Sequence, residues 1–229
     1  MDKIERLKKA TLKVNEIISG RLPQLLYFDN VNINKNLSTF KRELLYGNDL
    51  LVNNQLAAYS SKLNSLLIEE EKVNEDISDE QLEILILHEY IHMASTDIEN
   101  QVVGFESNVM PVTYNEALTQ WLTLKLYYGE EDMDKAIQNN ILYPESVKMV
   151  DGLIKTIGEE EMFNGFFEAD IKKNTTELPK EKKDIWLDTV LQLGSSEEER
   201  VSKNGLKQLE QKILELGKDK EINNEEVRM

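Results

Sequence analysis

The sequence predicts an α+β protein, predominantly helical, with a β-hairpin and a buried helix in an N-terminal lobe and a C-terminal lobe made of helices. Three observations carry this prediction. Two short apolar runs, 56–60 and 65–68, flank the turn-forming stretch Ser61-Lys62-Leu63-Asn64 and read as a hairpin. Ser78-Asp79-Glu80-Gln81 has the form of a capping box just ahead of an apolar run, which predicts a helix over 79–96. From Asn115 onward the chain reads as helical almost throughout, punctuated by Gly129, Gly158, Gly194 and Gly217, with Pro144 and Pro179 at or near helix starts. These signals divide the chain into an α+β lobe over 1–112, a helical lobe over 113–194 and a charged helical tail over 195–229.

Ahead of the hairpin, Ile4, Leu7, Val14, Ile17 and Ile18 fall at helical spacing and stop at Gly20. Pro23 marks a break. A second short helix is expected around 38–46, carrying Phe40, Leu44 and Leu45 and ended by Gly47. In the tail, Leu206, Leu209, Ile213 and Leu216 form one thin apolar stripe, suited to a helix docked on the core or on a partner.

The chain of 229 residues can bury most of its apolar surface without covalent staples. It has no cysteine, so a metal would have to rest on His, Asp or Glu. The net charge of −16 argues against a nucleic-acid partner, which needs a basic surface, and serves solubility. Met1-Asp2-Lys3-Ile4-Glu5-Arg6 lacks the apolar centre of a signal peptide, and no uncharged apolar run suffices to span a bilayer. The expectation is a soluble cytoplasmic protein that binds no membrane. The absence of cysteine fits a reducing compartment.

The chemistry concentrates in His88-Glu89-Tyr90-Ile91-His92, an HExxH string. Residues four apart on a helix lie one turn apart on one face, so both imidazoles can reach one ion. The Glu beside the first His then points at a water on that ion, whose proton it can take. The chain has two histidines, and both sit in this string. Leu82, Ile84, Leu85, Ile86, Leu87, Tyr90, Ile91, Met93 and Ala94 make the helix apolar on nearly every side, hence buried. Imidazoles and a carboxylate there need polar partners, and a metal with its water supplies them.

Hydrolytic zinc takes three protein ligands and keeps a fourth position open. With no further His, the third must be Asp or Glu: Asp97, Glu99, Glu106, Glu116 or the run Glu130-Glu131-Asp132. Asp97 and Glu99 follow the motif too closely for the chain to fold back, and the run reads as a solvated helix start. Glu116 opens a second apolar helix on which Glu116, Thr119, Gln120 and Thr123 form a polar stripe at i, i+3, i+4 and i+7. The plainer account of Glu116 is a carboxylate complementing the helix dipole. Combined with the HExxH string, the ligand role is favoured.

Asn115-Glu116, 24 residues after His92, together with the HExxH string, resembles the gluzincin metallopeptidases, the thermolysin-like group. NEALTQWLT also looks like small bacterial proteins of this kind. The resemblance covers about 55–130. It implies a zincin-like N-terminal lobe, Zn2+ held by His88, His92 and Glu116, Glu89 as general base, and hydrolysis of peptide bonds in a peptide or protein substrate. It also implies that an extended substrate lies along the edge strand before the metal helix, which would be 65–68 if the second hairpin strand is the edge. Two departures stand out. Gln120 occupies the position where these enzymes carry an Asp that orients a ligand His. No His remains to stabilise the oxyanion, a role open to Tyr114, Tyr127, Tyr128 or Tyr143, of which Tyr114 is nearest the ligand in sequence. Two other readings compete: an antirepressor-type zincin of bacterial mobile elements that cuts one protein partner, and a non-catalytic helical binding protein stabilised by a metal.

Overall fold

A computed structural model describes residues 3–21, 37–40, 56–61, 65–69, 73, 76–97, 99, 102–105, 110–167 and 178–197. They fall into two compact units, one within Met1–Val103 and Leu122–Ala136, the other within Gly104–Trp121 and Ile137–Met229. Helices dominate both. Among the described residues no helix is long and apolar enough to cross a membrane.

In the first unit, helix α1 (Lys3–Arg21) buries Leu7, Ala10, Thr11, Val14 and Ile18. These positions recur every three or four residues and make one stripe. α1 packs on helix α2 (Asp79–Ala94). Arg6 secures the start of α2: its Nε donates to Asp79 Oδ1 at 3.0 Å, and its guanidinium also donates to the Ile77 carbonyl. That guanidinium holds the Asp79 carboxyl below its ordinary range. The expected capping box is present. Gln81 N–H donates to Ser78 Oγ at 3.1 Å and Ser78 N–H to Gln81 Oε1 at 2.9 Å, so free amides of the first turn are satisfied.

A three-stranded sheet of order β1-β3-β2 covers α2. Strands β2 (Ala57–Ser60) and β3 (Ser65–Glu69) form the expected antiparallel hairpin, with Ala57 opposite Ile68 and Ser60 opposite Ser65. Strand β1 (Leu37–Phe40) pairs parallel to β3, Leu37 opposite Leu66. The helix expected around 38–46 is therefore not formed at its start, and 41–46 lie outside the described residues. Thr39 and Phe40 suit a pleated surface, and a ready ladder partner in β3 outweighs the short helical spacing. Ala57, Tyr59, Leu66 and Ile68 share one face by strand alternation. Leu66 and Ile68 are fully buried there. After α2 the chain makes a small ladder, β4 (Thr96–Asp97) with β5 (Val102–Val103).

Helix α3 (Val112–Tyr128) starts three residues before Asn115. Its end belongs to the first unit. There the Tyr127 hydroxyl donates to Glu83 Oε2 at 2.6 Å and the Tyr128 hydroxyl to Glu80 Oε1 at 2.7 Å, stapling α3 to the start of α2. Gly129, at φ 85°, closes α3 in a conformation that favours glycine. Helix α4 (Met133–Asn139) follows.

The second unit is built on aromatic rings. Phe105 stacks on Tyr114 with centroids 5.9 Å apart and meets Phe166 edge-on at 5.6 Å, while Tyr114 meets Trp186 edge-on at 6.1 Å. Trp121 stacks on Phe163 at 5.7 Å and donates from Nε1 to Asp151 Oδ1 at 3.0 Å. Such rings supply most of the apolar area of a core and here also satisfy their polar ends. Phe163 and Phe166 stand on helix α6 (Glu159–Phe167), Asp151 on α5 (Pro144–Ile157) and Trp186 on α7 (Lys180–Glu197). α5 starts at Pro144, and α7 starts immediately after Pro179, as expected. The stop expected at Gly194 is not made, because α7 runs through it to Glu197; an interior glycine costs a helix only about 1 kcal/mol, and packing overrides it. The stripe at 206–216 lies outside the described residues.

Candidate metal centre

The HExxH segment sits on the last turns of α2, where the helix is enclosed. Ile86, Leu87 and Ile91 are fully buried, and His88, Glu89 and His92 are 4%, 8% and 6% exposed. Lying one turn apart, the two imidazoles converge, with Nε2 of His88 and Nε2 of His92 3.1 Å from one another. Two donors held about 2.0–2.1 Å from one tetrahedral ion stand about 3.3 Å apart. The pair is thus spaced as ligands of one ion are.

Glu116 joins them. One carboxylate oxygen and the two imidazole nitrogens all lie within 4.8 Å of one another. Because α3 begins at Val112, Glu116 is its fifth residue and lies past the first turn, where the helix dipole acts on a carboxylate. That removes the plainer account of its position. It is half-buried, and the stripe it heads is buried below it: Thr119, Gln120 and Thr123 are at most 1% exposed. The donor set of two imidazoles and a carboxylate, without a thiolate, suits zinc in a hydrolytic site.

Of the other acidic candidates, Asp97 and Glu130 are engaged elsewhere. Asp97 Oδ1 accepts the Glu99 N–H at 3.0 Å, closing the turn between β4 and β5. Glu130 pairs with Lys125 at 2.7 Å and is exposed, as are Glu131 and Asp132. Glu106 lies outside the described residues.

Glu89 follows His88 on the helix and is buried, and its Oε2 accepts the backbone N–H of Tyr59 at 2.7 Å. This contact was not foreseen from the sequence, since the two residues are 30 apart and nothing in the strand marks Tyr59. It also corrects the expected substrate strand. β3, holding 65–68, is the central strand of the sheet, paired on both sides. Among the described residues the edge strand next to α2 is β2, because β1 occupies the other side of β3.

Tyr114 is fully buried in the aromatic core, and its hydroxyl accepts from Trp186 Nε1 at 2.7 Å. Burial pushes its phenol far up, so it stays protonated. Tyr127 and Tyr128 are hydrogen-bonded to Glu83 and Glu80, and Tyr143 stands at the N-terminus of α5 at φ 52°, 40% exposed. Gln120 Nε2 donates to Asn140 Oδ1 at 2.9 Å, so that side of the amide serves the turn after α4.

Asn115 has its own task. Its Oδ1 accepts the Phe105 N–H at 3.0 Å, fastening the chain that enters α3. Gly104, at φ +54°, makes room for this: a Cβ there would fall 2.5 Å from Asn115 Oδ1 and 2.6 Å from the Phe166 ring. No family model, curated protein or solved structure matches the chain.

Proposed function

We propose that the chain is a cytoplasmic zinc-dependent metallopeptidase of the gluzincin kind, acting on a peptide or protein substrate. The observation that carries this reading is the convergence of His88, His92 and Glu116, with the buried Glu89 carried next to His88 on the same helix. Zinc, when bound, would lower the pKa of a water on its open position and polarise the scissile carbonyl.

The remaining work falls to the chain's own residues. His88 and His92 supply neutral imidazole nitrogens from one face of α2, and Glu116 supplies the anionic donor. Glu89 takes a proton at one carboxylate oxygen and passes it to the departing amine, while Tyr59 N–H holds its Oε2. Burial of these groups keeps bulk water from competing for the proton. The outer edge of β2, apart from the Tyr59 amide that Glu89 holds, offers backbone groups to an extended peptide, which fits a zincin-like lobe. The cysteine-free composition agrees with a reducing compartment.

The test is metal analysis followed by digestion of a proteome-derived peptide mixture. Purified chain should carry about one zinc, as one site of three donors requires. Glu89→Gln should keep that zinc and its fold while losing nearly all hydrolysis. A fully active Glu89→Gln would refute the general-base assignment. A zinc-loaded chain that cuts no peptide or protein would refute the peptidase and leave a metal-stabilised binding protein.

A further inference from the structure

We propose that Tyr59 is the positioning residue for Glu89, clamping edge strand β2 against α2 at two points that bracket His92. The inference rests on the peptidase reading, because it assigns Tyr59 a part in holding that reading's general base.

The first point is the backbone. In an antiparallel pair each residue either exchanges both bonds with its opposite number or turns both groups outward. Tyr59 N–H goes to Glu89 Oε2 at 2.7 Å and therefore faces the outer side of β2. Among the described residues no strand lies on that side. A carboxylate accepting from an amide makes a charge-assisted bond, shorter and stronger than a neutral one. Glu89 has few rotamers left once one oxygen is held this way in an enclosed site.

The second point is the side chain. The half-buried Tyr59 phenol is hydrogen-bonded to the Thr96 hydroxyl, and burial raises its pKa. The Thr96 hydroxyl in turn donates to the His92 carbonyl at 2.7 Å. With that proton committed, the phenol is the donor to Thr96 Oγ1. One residue thus holds the general-base carboxylate through its amide and the end of the ligand helix through its phenol. Neither bond serves the β2–β3 ladder, so neither is needed to form the sheet. Removing the phenol leaves the strand pairing intact and frees the Tyr59 amide, and with it Glu89, to shift. The consequence is catalytic alignment rather than substrate affinity: misplacing a reacting group by about 1 Å can cost on the order of 100-fold in rate.

The test uses the full zinc-loaded chain, with Tyr59→Phe, Thr96→Val, Thr96→Ser and Glu89→Ala. On a peptide that the wild type cuts from a proteome-derived mixture, Tyr59→Phe and Thr96→Val should lower kcat about tenfold or more, with KM within about twofold and zinc retained. Thr96→Ser, which keeps the hydroxyl, should restore kcat. Unchanged kcat, or a change confined to KM, would overturn the proposal. A second arm needs no activity. Amide exchange followed by NMR should show the Tyr59 N–H accelerated at least tenfold in Glu89→Ala, and also accelerated in Tyr59→Phe and Thr96→Val. The Ala58 and Ser60 amides, which belong to the ladder, should stay protected. If Tyr59 exchange does not respond to Glu89→Ala, the clamp does not exist. A wild type that cuts no peptide would defeat the peptidase reading, while the exchange arm would still decide whether the clamp is real.

Discussion

Replacing Glu116 by Ala is the most direct perturbation of the candidate metal centre. Glu116 is one of three donors within 4.8 Å, and it is half-buried, so its loss removes a ligand with little cavity cost. Losing an outer contact to a ligand typically costs 10–100-fold in metal affinity, about 1.4–2.7 kcal/mol, and losing a ligand itself must exceed that. Zinc at 100 times the wild-type Kd stabilises the folded state by about 2.7 kcal/mol, whereas a variant 100-fold weaker gains only about 0.4 kcal/mol at the same concentration. For a chain of this size 1 kcal/mol moves Tm by about 2–4 °C, so zinc should raise Tm by about 5–11 °C in the wild type and by about 1–2 °C in Glu116→Ala. The assay is thermal melting with zinc and with chelator, paired with competition for zinc against a dye. Gln120→Ala should fall in the milder range, since its Nε2 donates to Asn140 Oδ1 at 2.9 Å and it offers an amide rather than a carboxylate. Asp97→Ala should lose the Glu99 turn contact and keep its zinc shift. A Glu116→Ala variant with the full wild-type shift, alongside an Asp97→Ala variant without one, would refute the ligand assignment.

Three further outcomes follow from the packing and the phenols. Tyr114→Phe leaves the Trp186 indole N–H buried without its acceptor and should destabilise the fold by about 1–3 kcal/mol in denaturant melts, yet leave the kcat of the proposed activity near wild type; a large loss of kcat with unchanged stability would give Tyr114 a catalytic role. Gly104→Ala places a side chain at φ +54° and against Asn115 and Phe166, and should cost at least about 1–2 kcal/mol, read as a lower unfolding midpoint; an unchanged midpoint would show that the segment entering α3 adapts freely. The phenols of Tyr59, Tyr90, Tyr114, Tyr127 and Tyr128 are all raised, chiefly by burial, that of Tyr128 to about 12. A raised folded pKa gives stability that is complete below the unfolded value near 10 and is lost as pH rises through the folded one. Tm should therefore fall between pH 10 and 12, with phenolate absorbance lagging in the folded protein; half of the phenolate absorbance already present near pH 10 without unfolding would contradict the burial.

Local chemistry by itself determined the helix that carries the HExxH string. A capping box sets its start, an apolar run buries it, and i, i+4 geometry brings two imidazoles together; each cause acts within a few residues, so each is written in the chain. The hairpin belongs to the same class, because its turn and strands are adjacent. Glu116 was reachable for a related reason, since a carboxylate heading a polar stripe on an apolar helix needs a buried polar partner. What only the tertiary structure decided involves distant pairings. Leu37–Phe40 overlap the segment 38–46 that Phe40, Leu44 and Leu45 mark as a helix, but a parallel partner in β3 makes them a strand, and that partner also makes β3 central and leaves β2 as an edge among the described residues. Tyr114 has the composition of a site residue and the position of a core residue, a distinction made by Trp186, 72 residues away. The Tyr59 amide meets Glu89 because the sheet is laid on α2, and the direction of an outward N–H is set by strand register, which no local pattern of side chains encodes.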